Sequence, residues 1–193
     1  MAAKSAYDER FVHFVVLFNV DRDYFECHEV MEELWLEEGR NPLYQGLLQA
    51  AVGLHHWRND NYSGAVKLFD QAENKLVQYP DNMMGLDLAQ LRADIKRSVE
   101  PLRRWVEHCK AIDRQEREAD LDVEEQTNGP SHVMEPNNTS SAGHAIEAVL
   151  GETKPPLFCS FDIVVADRSL RELALALAEV PLEIRLHGED HEG

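Results

Sequence analysis

His28 and Glu32 stand one helical turn apart in a stretch whose neighbours are mostly apolar. Winding residues 24–36 at about 100° per residue puts Tyr24, Cys27, Met31, Leu34 and Trp35 on one arc, with Phe25 and Leu36 extending it. Glu26, Glu29 and Glu33 fall on the opposite side, whereas His28 and Glu32 fall inside the apolar arc. Side chains at i and i+4 share a face, so the two can reach a common third atom. Ionisable groups placed inward cost free energy unless they find a partner, so the pair is expected to point inward and to be completed by something else. Three chemistries are open to it. The pair can be a hydrogen-bonded unit that specifies a bundle, two ligands of a metal ion, or an acid–base couple acting on a small molecule. The metalloprotease pattern His-Glu-x-x-His is excluded because position 32 is Glu, and the di-iron pattern Glu-x-x-His because position 25 is Phe.

A third ligand must come from another element. Pro42 to Trp57 contains no Asp, Glu, Lys or Arg in a chain that is 28% charged, which predicts a helix buried on most sides. Gln45, Gln49 and His56 form one narrow stripe on it, either a solvent seam or the polar side that meets the His28–Glu32 pair. Gln49 is expected to face that pair, and His55 is the expected third ligand, with His13 a weaker candidate. If a cofactor is held, the expectation is a divalent metal ion on His28, Glu32 and His55, with Trp35 and Gln49 lining the site. Cys27 is expected to be a core thiol, because adjacent side chains on a helix diverge and cannot form a Cys–His dyad.

The elements that would position these residues can be read from punctuation. Phe11, Phe14, Val15 and Phe18 give a first short helix, and Asp23 with Glu26 caps a second that Gly39 ends. Asn41-Pro42 opens the third, which breaks at Asn59-Asp60-Asn61. A fourth carries Ala65, Val66, Phe69, Ala72 and Leu76 and stops before Pro80; a fifth runs from Leu88 to Trp105 with a kink or restart at Pro101. Short connections make neighbours antiparallel, so the expected fold is all-α, an up-and-down bundle of about five helices over residues 8–108. Residues 111–155 read as a disordered acidic linker. Residues 156–188 read as a small docking or recognition segment: a strand-like Leu157–Val165, a helix over Leu170–Ala178 and an extended Val180–Leu186.

Charge narrows the partners. The 193 residues hold 36 acidic and 19 basic side chains, a net charge of −17. Residues 1–110 carry 18 acids and 13 bases, so most of the excess lies beyond the bundle. This balance opposes binding to nucleic acid or to anionic membrane surfaces. No apolar run is long enough to span a bilayer: Phe11 to Val20 is short and interrupted by His13 and Asn19. The polar start, Met1 to Arg10, and three widely spaced cysteines fit a reduced, cytoplasmic protein. The partner expected is another protein or the chain's own C-terminal segment; the oligomeric state is left open.

The run His28-Glu-Val-Met-Glu32-Glu-Leu-Trp35, preceded by Phe18-Asn and by Asp23-Tyr-Phe-Glu-Cys, resembles the signature of the uncharacterised domain-of-unknown-function family 309, His-x3-Glu-x2-Trp/Tyr. Tyr44-Gln-Gly-Leu-Leu-Gln-Ala-Ala-Val-Gly-Leu-His-His-Trp-Arg and Asn61-Tyr-Ser-Gly-Ala-Val-Lys-Leu-Phe are similar to that family in order and spacing. The resemblance covers roughly residues 8–108 and implies a helical bundle with a metal-binding motif, onto which His28, Glu32 and Trp35 carry over. It implies no reaction, so whether the protein is an enzyme stays open. Two functions compete: a metal- or small-molecule-binding bundle centred on His28 and Glu32, and a non-enzymatic interaction scaffold in which that pair is structural. The scaffold draws on the helix pair from Leu43 to Tyr79, whose Ala65, Phe69 and Ala72 follow the pattern of tetratricopeptide units, although such arrays need at least three repeats.

Overall fold

A computed structural model describes residues 7–127 and 154–187. Among them the helices are α1 (Glu9–Val16), α2 (Tyr24–Glu37), α3 (Pro42–Arg58), α4 (Tyr62–Leu76), α5 (Leu88–Thr127), α6 (Arg168–Ala178) and α7 (Leu182–His187). A two-stranded hairpin, β1 (Asn82–Met83) and β2 (Leu86–Asp87), precedes α5. The expected all-α bundle is borne out.

Short polar side chains start the helices where the sequence places them. Asp8, Asp23, Asn41, Asn61 and Asp167 each accept a backbone N–H of the helix they open, and Pro42 takes the first position of α3, where its missing N–H costs nothing. A π-turn over Leu17–Asp21 continues α1 and ends at Arg22 in the left-handed region (φ 57°). The core is built from Phe11, Phe14, Phe18, Tyr24, Met31, Leu47, Leu54, Phe69, Leu76, Leu91 and Ile95, all essentially inaccessible. The charge-free α3 lies at its centre, against both α2 and α4. Its approach to α4 depends on missing side-chain atoms: a Cβ at Gly53 would lie 2.7 Å from the Phe69 ring, and one at Gly46 would lie 3.0 Å from Leu76.

Two local expectations are corrected, and one element is new. The fifth helix neither restarts at Pro101 nor ends near residue 108; it continues to Thr127, so the acidic stretch begins as helix. The composition after residue 106, rich in Glu, Arg, Lys, Gln and Ala, favours helix, and opposite charges meet along it, as in Glu107–Lys110 at 2.8 Å. The rest of the expected linker, residues 128–153, lies outside the described residues. Val180–Leu186 is not extended, since α7 occupies Leu182–His187. The hairpin was not expected: Met84 and Gly85 both have positive φ (52° and 77°), the geometry of a tight primed turn.

The C-terminal segment packs on the bundle. Ile163 and Leu170 are 1% and 0% exposed and join its core, and α6 lies against α1.

Candidate functional site

Asp23 opens α2 by accepting the Glu26 N–H at 3.1 Å, and the helix then carries His28 and Glu32 on successive turns. The two do meet, His28 Nε2 lying 3.6 Å from Glu32 Oε2. They do not point inward. Their side chains are 34% and 45% exposed, at the open edge of α2. The buried arc is Tyr24, Cys27, Met31 and Leu34, while Phe25 and Leu36 are about half exposed. Counting those two as core had widened the arc until it enclosed positions 28 and 32.

Exposure changes what the pair can do. As a surface ion pair it contributes only about 0–1 kcal/mol to stability, too little to specify a bundle. The hydrogen bonding is more informative. His28 Nδ1 lies 2.9 Å from Glu29 Oε1, and a carboxylate can only accept, so Nδ1 carries a proton there. In a neutral imidazole Nε2 is then a bare lone pair facing the Glu32 carboxylate. Two acceptors that face each other call for a cation between them, either a proton or a metal ion. Histidines that ligate metals characteristically donate their other ring N–H to a carboxylate, as His28 does to Glu29. Two ligand bonds of about 2.1 Å can bridge donor atoms up to about 4.2 Å apart, so the 3.6 Å separation is within reach of one ion.

The remaining candidates disperse. His55 turns its ring to Phe25 (5.9 Å between centroids) and His56 (6.1 Å) and meets the Asn59 amide at 3.3 Å. Among the described residues no group of three or more His, Cys, Asp or Glu side chains is arranged to hold a metal ion. Gln49 turns away from the pair and donates to Gln71 Oε1 on α4 at 2.8 Å, leaving its own Oε1 buried without a partner. Trp35 is half-buried, with the Arg40 guanidinium 5.6 Å from its ring centre and a buried indole N–H without a hydrogen-bond partner. His13 stands elsewhere, beside Arg185 and Asp21 and a cleft of about 580 Å³ lined also by Arg10, Leu173 and Leu177. Burial, helped by Arg185, pushes the His13 imidazole pKa below its usual range, against the pull of Asp21. Cys27 is a core thiol as expected; burial raises its pKa far above that of a reactive cysteine.

Sequence reasoning missed another constellation, Asn19, Arg22, Trp57 and Arg58, whose side chains hold the C-terminal segment. Its one visible signal is Asn19, a polar residue interrupting the run Phe11 to Val20.

Comparison with known proteins finds a family model similar to part of the chain. Residues 11–68, from α1 into α4, match the model described as "Domain of unknown function (DUF309)", which bears out the resemblance over that span. Over 94 residues the chain is 37% identical to "Uncharacterized protein YpuF" of Bacillus subtilis (strain 168), covering 44% of this chain and 52% of that protein. Over 74 residues it is 32% identical to an "Uncharacterized protein" of Aquifex aeolicus (strain VF5), covering 37% of this chain and 22% of that protein. The chain thus spans about half of the first relative and about a fifth of the second.

Proposed function

We propose that the bundle, matched by this family model over residues 11–68, is a binding module, with His28 and Glu32 the protein ligands of a shallow site for a divalent cation or a small molecule that carries one. The observation behind this reading is the polarity of the His28 ring: Nδ1 meets the Glu29 carboxylate at 2.9 Å while Nε2 faces Glu32 Oε2 at 3.6 Å. Glu29 orients the imidazole, and Glu32 supplies negative charge. With two protein ligands at a half-exposed edge, one imidazole and one carboxylate, the remaining coordination positions fall to water or to a ligand, a setting that suits Mn²⁺ or an open Zn²⁺ site better than Mg²⁺. A bound ion there would act as a Lewis acid toward whatever shares it.

Equilibrium dialysis of the untagged full-length protein against Zn²⁺, Mn²⁺ and Mg²⁺, followed by elemental analysis, tests this reading. Stoichiometric retention of one ion, lost in both His28→Ala and Glu32→Gln, is the expected result. Retention unaffected by either substitution, or no retention of any ion, would sink it.

A second reading has its own support. The seating of the C-terminal segment on the bundle favours a non-enzymatic interaction scaffold, in which the His28–Glu32 pair is merely a surface ion pair. Circular dichroism and gel filtration of residues 1–127 test whether the helical part persists as a free scaffold; loss of its helical fold would count against this reading.

A further inference from the structure

Residues 156–166 cross the bundle face mostly extended, and from Phe161 their side chains alternate. Phe161, Ile163 and Val165 turn toward the protein, whereas Asp162, Val164 and Ala166 are exposed. The backbone is held as closely as the side chains. The Asn19 amide clamps both polar groups of Ile163: its Nδ2 donates to the carbonyl and its Oδ1 accepts from the N–H, each at 2.8 Å. Arg22 donates to the Phe161 carbonyl at 3.0 Å and pairs with Asp162. Trp57 Nε1 donates to the Pro156 carbonyl at 3.3 Å.

Downstream the segment reaches the hairpin edge. Asp87 N–H donates to the Val164 carbonyl at 2.9 Å, Ala166 N–H donates to the Gly85 carbonyl at 2.8 Å, and Val165 stands opposite Leu86 in an antiparallel bridge. Aromatic contacts complete the seat. The Arg58 guanidinium lies over the rings of Tyr24 (4.5 Å) and Phe158 (5.4 Å), and Phe161 packs on Phe18 and Phe69 at 5.9 and 6.2 Å.

Main-chain hydrogen bonds combined with pockets for alternate side chains are how folded domains bind extended peptides. We infer that this face is a peptide-binding groove and residues 156–166 its tethered ligand. The partner it fits is an extended segment patterned like Phe158, Phe161, Asp162 and Ile163: aromatic, two residues, aromatic, acidic, aliphatic. The inference rests on the scaffold reading and is independent of the His28–Glu32 site. Two features mark the segment as a ligand more than a core element. Its outer side is open, with Leu157 90% and Val164 43% exposed. The receptor residues Asn19, Arg22, Trp57 and Arg58 lie within the family-matched residues 11–68, whereas the ligand lies outside them. A tether makes this binding intramolecular, so a partner in trans competes against a raised local concentration. The bidentate Arg185–Asp21 pair, 2.8 Å at both contacts, adds a second hold further along.

The test uses the full chain with a specific protease site placed within residues 128–153. After cleavage, a fluorescein-labelled synthetic peptide of residues 154–187 is added in excess. Binding is followed by anisotropy and helix content by circular dichroism. The labelled peptide is expected to replace the cut segment with helix content retained. Phe161→Ala or Ile163→Asp in the peptide, or Asn19→Ala in the bundle, is expected to weaken binding at least about tenfold. Loss of helix content when the cut segment leaves would make the segment part of the fold, ending both the scaffold reading and the inference. Binding that is indifferent to Phe161, Ile163 and Asn19 would spare the scaffold and overturn the groove. A cut segment that never exchanges, or a labelled peptide that never binds, also overturns it.

Discussion

His28 shows why residue type and spacing are not enough to locate a site. The sequence correctly joined His28 to Glu32 across one turn but put them inside the bundle, because Phe25 and Leu36 are apolar and were counted as core. Helical periodicity reports which residues share a face; it does not report which apolar residues a small protein leaves in water. Glu29 escaped notice because neighbours on a helix usually diverge, yet its carboxylate reaches back to His28 Nδ1. The energetic consequence is measurable. His28→Ala and Glu32→Gln should each shift stability by no more than about 1 kcal/mol in urea unfolding, as expected of exposed pairs. Glu29→Gln should weaken metal affinity by about 10–100-fold in a titration, the usual cost of losing a ligand's orienting carboxylate. An unchanged affinity would remove Glu29 from the site.

At the scale of elements, starts were far more legible than ends. Asp23 and Asn41-Pro42 marked where α2 and α3 begin, since each side chain satisfies a particular unpaired N–H; Asn61, read only as part of a break, caps α4 in the same way. The end of α5 was hidden because the acidic composition resembles a linker while its Glu, Arg and Lys residues favour helix. The hairpin was hidden because Met84, a residue rarely left-handed, takes a place usually held by Asn or Asp. The charge-free α3 was read correctly as central, though Gln49 meets Gln71 on α4 instead of the His28 pair. The same α3–α4 contact yields a prediction. In Gly53→Ala the new Cβ would stand 2.7 Å from the Phe69 ring, forcing the helices apart. Overpacking of this kind costs about 1–3 kcal/mol, and a lowered urea midpoint would register it. An unchanged midpoint would mean that Phe69 has room to move.

At the scale of the molecule, the C-terminal segment packs on the bundle at α1, the π-turn and the hairpin. Of the strand-like Leu157–Val165 only Val165 enters a β-bridge, to Leu86, and sequence reading could not pair this segment with the bundle, because nothing local links Asn19 to Ile163. Their junction includes His13, beside Arg185 and Asp21, and burial depresses its pKa. A histidine that resists protonation only when folded contributes stability above its ordinary pKa, about 6.5, and loses that contribution as pH falls through and below it. The urea midpoint should therefore fall between about pH 7.5 and 5.5, and less steeply in His13→Asn; equal slopes would contradict the assignment. His56, depressed by burial and by His55, acts in the same direction and is common to both proteins. The binding proposal is tested most directly by thermal unfolding of the untagged full-length protein with and without Zn²⁺ or Mn²⁺. An ion held only by the native state raises Tm by mass action, so a rise that grows with metal concentration and vanishes in His28→Ala and Glu32→Gln is predicted. A Tm that ignores metal, or rises equally in both variants, would contradict it.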